Sequence, residues 1–138
     1  LLDGVTEAAK AHARKRKNHN FHSSDEAVCH RLLNAIEPGS YVAPHCHLEA
    51  SKDESIIALR GRLGVVIFSD DGRVAETAVL QPGGTVVAVN IPHGVFHTMV
   101  ALESGTVFFE SKAGPYRPLT PEEKAAWSPA EGDAGAAA

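Results

Sequence analysis

From about Arg31 to Lys112 the apolar residues fall into short runs rich in valine and isoleucine, of which LGVVIF (63–68) and TVVAVNI (85–91) are the longest. Between them stand EPGS, RG, SDDGR, QPGG, IPHG and ESG, each a turn signal. Many short strands with regular turn chemistry predict an antiparallel sandwich or barrel. Before this zone, LLDGVTEAAKAHARKRK places Leu2, Val5 and Ala9 at near-helical spacing, which predicts a short N-terminal helix. SDEAVCHRLLNAI (24–36) carries two signals, a helix cap at Ser24 and a strand-like run into EPG, and reads as a single turn feeding a strand. After the strand zone, four of the eight prolines cluster in GPYRPLTPEEKAAWSPAEGDAGAAA. There Thr120-Pro121-Glu122-Glu123 opens a short helix, and the Ala/Gly tail has nothing to bury, so flexibility is expected of it. The chain divides into a helical or extended segment (1–23), a β-barrel (24–118) and a short helix with its tail (119–138), without an internal repeat.

At 138 residues the chain suits one domain, which buries roughly two thirds of the surface its unfolded form exposes. With 43% hydrophobic and 22% charged residues it is composed like a globular protein. The apolar runs are strand-sized, so no membrane span is expected. The formal net charge of −4 provides no global field for nucleic acid, and the basic RKRK at 14–17 reads as a solvated helix end or loop. Cys29 and Cys46 are too few for a disulfide framework, and a cytoplasmic location is expected.

The candidate chemistry begins at PHCH (44–47). On a strand, residues i and i+2 share a face about 6.5–7 Å apart, so the imidazoles of His45 and His47 can converge on one ion. Cys46, between them, then points to the opposite face. Two longer patterns surround this pair. Gly39, His45, His47, Glu54 and Gly61 spell G-x5-H-x-H-x6-E-x6-G, and IPHGVFHTMV spells P-x-G-x2-H through Pro92, Gly94 and His97. These segments resemble the two motifs of the cupin superfamily. That resemblance implies an all-β, double-stranded β-helix (jelly-roll) barrel, and a metal held by two histidines and a glutamate of the first motif with one histidine of the second: here His45, His47, Glu54 and His97. RKNHNFH (16–22), NAIEPGSYVAPHCH (34–47), FFESKAGPYRP and WSPAE further resemble the WbuC family of cupin-fold metalloproteins, small bacterial proteins encoded among genes for surface polysaccharide synthesis. The resemblance runs from Arg16 to Glu131 and implies no established reaction.

Three neutral imidazoles and a carboxylate suit one divalent transition metal, whether zinc, iron, nickel, manganese or cobalt, and leave coordination positions open. Glu54 has two readings, as a ligand or as a strand-end carboxylate that hydrogen-bonds a ligand histidine. The rival Glu49 reads as a solvated loop residue. His12, His19, His22, His30 and His93 read as exposed, with His93 in reach of the pocket mouth. Glu110 is a candidate general base that faces inward if Phe108 does, or else pairs with Lys112 or Arg117. Tyr116 either places a phenol at the barrel mouth or packs on Trp127. Arg16, Asn18 and Asn20 either hydrogen-bond a polar ligand or satisfy the backbone of the N-terminal crossing.

Three functions are compatible with this set: a metal-dependent enzyme that isomerises or epimerises a carbohydrate or nucleotide-sugar, a non-catalytic sugar-binding or regulatory module, and an iron-dependent oxygenase. The expected partners are a small-molecule, sugar-like ligand and a second copy of the chain in a homodimer, with no nucleic acid and no membrane.

Overall fold

The computed structural model describes residues 1–137. One helix, α1 (Leu2–Ala11), precedes eight strands: β1 (Arg16–Asn20), β2 (Cys29–Ile36), β3 (Glu54–Arg60), β4 (Leu63–Phe68), β5 (Val74–Leu80), β6 (Ala88–Ile91), β7 (His97–Ala101) and β8 (Thr106–Ala113). They form a five-stranded sheet in the order β1-β2-β8-β3-β6 and a three-stranded sheet in the order β5-β4-β7, with every pair antiparallel.

Alternation along the strands decides what lies inside. In β3, Glu54, Ile56 and Ala58 are buried while Ser55, Ile57 and Leu59 are exposed. Ile36, Ile56, Ala58 and Phe108 of the larger sheet meet Leu63, Val65, Leu80, Met99 and Ala101 of the smaller one in a shared core, so the sheets pack face to face. Each fully buried Leu, Ile or Val side chain contributes about 1.5–3 kcal/mol. The chain crosses between the sheets at Arg60-Gly61-Arg62, where Gly61 has φ +72° and a Cβ would lie 2.8 Å from the Thr106 Cα. Only glycine fits both demands.

The predicted N-terminal helix is α1. Its Val5 and Ala9 cover Leu33, Ala35 and Val107 on the outer face of the larger sheet. RKNHN, inside the 1–23 segment, is the edge strand β1, paired from Arg16 opposite Ile36 to Asn20 opposite Leu32. It has no apolar alternation; backbone pairing and the uncovered edge of β2 account for it. The turn-then-strand reading of 24–36 matches the bends that lead into β2. At the C-terminus the helix begun at Thr120 is a single 3₁₀ turn, Pro121–Glu123, in which Glu123 accepts the Thr120 N–H at 3.0 Å. The Ala/Gly tail ends in a second 3₁₀ turn, Ala134–Ala137. No helix among the described residues is long and apolar enough to cross a membrane.

His30 corrects one expectation. It is buried at 7% exposure because alternation along β2 turns it inward, where it stacks on His22 with ring centroids 3.9 Å apart.

Candidate metal centre

The four residues singled out by the two motifs come together at one end of the inter-sheet space. Glu54 opens β3 and His97 opens β7, both facing inward and almost fully buried. His45 lies on the long connection from β2 to β3, and its backbone exchanges two hydrogen bonds with that of His97 (3.1 and 2.9 Å). Residues 44–47 are therefore a one-residue bridge and not the regular strand expected, because Pro44 and the following loop cannot continue a ladder. The outcome for Cys46 is nonetheless that of alternation. The His45 and His47 rings meet edge to face with centroids 5.3 Å apart, while Cys46 is buried and outside the donor cluster, and its N–H donates to the Glu123 carbonyl. Burial, helped by the Glu123 and Asp70 carboxylates, pushes the Cys46 thiol up, which keeps it protonated. Cys46→Ser should leave metal content unchanged and cost about 1 kcal/mol for burying a hydroxyl; elemental analysis and a melt of the variant check both.

One donor atom from each of His45, His47, Glu54 and His97 lies within 4.8 Å of the others. Glu54 Oε2 stands 3.1 Å from His47 Nε2 and 3.2 Å from His97 Nε2. Two rings have their tautomer fixed by backbone: His45 Nδ1 donates to the Ala43 carbonyl and His97 Nδ1 to that of Val95, both at 2.9 Å. In a neutral ring this leaves Nε2 as a bare lone pair, the ligand form. His97 Nε2 and Glu54 Oε2 are buried and have no hydrogen-bond partner. Two lone pairs facing each other at 3.2 Å repel unless a proton or a metal cation lies between them. Donors about 2.0–2.2 Å from a common ion are themselves roughly 3 Å apart, so the observed spacing fits direct ligation by Glu54.

Electrostatics agree with a cation. Burial, reinforced by the neighbouring His97, pushes His45 down to about 4, so its ring is neutral at ordinary pH. Burial works to raise the Glu54 carboxyl, but His47, His97 and the Lys112 ammonium outweigh it and hold it well below its ordinary value.

Glu110 does face inward with Phe108, and it pairs with Lys112 at 3.1 Å while accepting the Asn34 amide at 2.9 Å. Burial, then the nearby Glu54 carboxylate, push Glu110 up to about 7 against the pull of Lys112. Lys112 is the residue the motifs missed: its Nζ stands 3.3 Å from His47 Nε2 and 3.8 Å from Glu54 Oε1. Its inward position, two after Glu110 on β8, was the available signal. Arg117 pairs instead with Glu26. Tyr116 is exposed at the mouth, and it is Phe68 and Phe96 that pack on Trp127, because Trp127 lies against the β4–β5 turn at Gly72. Glu49 is a solvated loop carboxylate beside Ser51 and Lys52, and His93 is an exposed partner of Asp53. His12 and His19 are exposed as expected.

Two adjoining cavities open above the cluster. One, of about 330 Å³, reaches His45, Glu54, Met99 and Phe108; the other, of about 470 Å³, reaches His45, His47, His30 and Tyr116. Asn18, Asn34, Glu110 and Lys112 line both.

The model of one protein family, "Domain of unknown function (DUF6016)", matches residues 1–80, which takes in three of the four cluster residues. The chain belongs to this family. No curated protein matches the DUF6016 chain. Among solved structures, KdgF from Halomonas sp. is similar at a TM-score of 0.57 and 20% identity, over 74% of this chain and 82% of that one. The Cnp3 cupin domain of Schizosaccharomyces pombe is similar at 0.55 and 13%, over 72% and 64%. YcfD, a ribosomal oxygenase from Escherichia coli in complex with cobalt and succinic acid, is similar at 0.52 and 24%, over 71% and 26%. These likenesses give the DUF6016 chain the cupin fold, with two antiparallel sheets and minimal helical flanks.

Proposed function

We propose that this chain is a divalent-metal enzyme acting on a carbohydrate or nucleotide-sugar, by isomerisation or epimerisation. The observation that carries the reading is the set of four converging donor atoms, two of them buried without partners, with His45, Glu54 and His47 lining the adjoining polar cavities. His45, His47, Glu54 and His97 would hold the ion. A bound divalent metal supplies Lewis acidity that polarises a substrate carbonyl. Glu110, pushed up to about 7, is the group with a proton to exchange: Oε1 faces Lys112 and Oε2 faces Asn34, which together orient it. The Phe108 and Met99 side chains bound the inner cavity and exclude water there. The resemblance to WbuC proteins supports a role in bacterial surface polysaccharide synthesis.

A second reading, a non-catalytic sugar-binding module, is favoured by the Glu110–Lys112 ion pair, since a carboxylate held by an ammonium is a weaker base. Solvent exchange separates the two. An isomerase incubated with its sugar in deuterated water should label the carbon next to the carbonyl, with metal required and Glu110→Gln inactive. Binding without any exchange would leave the module. Bound iron with oxygen consumption on sugar addition would instead favour an oxygenase.

For assembly the proposal is a homodimer. The outward Ile57 and Leu59, on β3 beside the patch that α1 covers, and Val79 on the smaller sheet are 40–44% exposed. Light scattering should give twice the mass of one chain at micromolar concentration, and a monomer would contradict it.

A further inference from the structure

The geometry points to a ligand that carries an oxyanion, a carboxylate or phosphate on a hydroxyl-rich small molecule, with Lys112 as the residue that holds the charged group beside the metal cluster. This rests on the metal-dependent sugar reading above and narrows it.

Strand alternation makes the inner face of a small barrel apolar by default. Here a polar row crosses it instead. β1 turns Asn18 inward opposite Asn34 of β2, Asn34 reaches Glu110 of β8, and Glu110 reaches Lys112, whose ammonium ends beside His47 and Glu54. Asparagine amides offer both donors and acceptors, which suits hydroxyl groups.

Arg14, Arg16, Lys17, Lys52, Lys112 and Arg117 line the two cavities beside the carboxylates of Asp25, Glu54 and Glu110, and rim carboxylates take up the three arginines. The rim already grips an oxyanion: Glu131 takes Arg14 in a two-pronged contact (2.6 and 2.8 Å) and Arg16 at 2.7 Å. Glu26 likewise holds Arg117. Those guanidiniums are thereby fixed at the wall, and the cation at the floor is Lys112. A ligand oxygen that reaches the four donor atoms comes within hydrogen-bond reach of its ammonium, the strong, charge-assisted kind of contact.

The test uses the full chain loaded with metal, its metal content measured on every sample, and calorimetric titration with glucose, glucuronate and glucose 6-phosphate. One charged sugar should bind about tenfold more tightly than glucose, an advantage that shrinks with added salt. Which of the two does so distinguishes carboxylate from phosphate. Lys112→Gln should abolish the advantage and Lys112→Arg should keep it. Asn18→Asp, on an exposed edge strand and away from the metal, should shrink the charged sugar's advantage over glucose, read as the ratio of the two affinities. Equal affinity for glucose, no binding of any of the three, or a preference that survives both Lys112→Gln and Asn18→Asp overturns the inference. A chain that takes up no metal sinks the reading beneath it; a chain that holds metal yet shows no charge preference sinks this inference alone.

Discussion

His97→Ala should cost the protein its metal and the thermal stabilisation that metal confers. An ion that binds only the folded state stabilises it by about 2.7 kcal/mol when its concentration is a hundred times its dissociation constant, and a variant that no longer binds loses all of that. His97 joins β7 to the His45–His47 loop through the ion across some fifty residues of chain, so its removal opens the cluster at its most buried corner. His47→Ala should be comparable. Glu54→Gln should also lower occupancy, because Oε2 is equidistant from two ligand nitrogens and has no other partner. Glu49→Gln, His93→Ala and His22→Ala should behave like the parent. Melts with and without added zinc, beside elemental analysis, read the series. Full metal in His97→Ala with loss in His93→Ala would move the site by one turn and contradict the assignment.

Acid should destabilise the chelated protein. His45 lies at about 4 when folded against an ordinary 6.5, so the folded state binds its proton more weakly than the unfolded chain does. The sign follows from linkage: His45 contributes fully above pH 6.5, and its contribution is lost as pH falls through the folded value near 4. At about 1.4 kcal/mol for each pKa unit, the loss is about 3 kcal/mol. Denaturant titrations of metal-free protein at pH 7, 5.5 and 4 check it, and His45→Gln should flatten the dependence. A parent protein equally stable at pH 7 and pH 4 would show that His45 is not held neutral by burial.

Much of the site was legible in the chain because its two motifs pair residue type with turn chemistry. Gly94, at φ +77°, makes the turn after β6, and its N–H donates to the His47 carbonyl at 2.6 Å, so the turn that delivers His97 also ties down the His45–His47 loop. What escaped depended on partners distant in sequence. RKNHN has no hydrophobic period, and only the open edge of β2 makes it a strand. The burial of His30 leaves no local mark, because a lone histidine carries no signal of it; its neighbours across β8 and His22 decide it. The hold of Glu131 on Arg14 and Arg16 spans more than a hundred residues, and no local pattern announces it. Lys112 was in plain view, two residues beyond Glu110, but the ammonium gains its meaning only from the three carboxylate and imidazole groups around it.

The central claim is that His45, His47, Glu54 and His97 hold one divalent transition metal. Elemental analysis of the natively purified chain, before any chelator or added metal, tests it most directly. The account predicts about one such ion per chain, removed together with a drop in melting temperature when a strong chelator is added. A chain purified without transition metal, and unable to take up zinc, cobalt, nickel, manganese or ferrous iron with any change in its melting temperature, would contradict it.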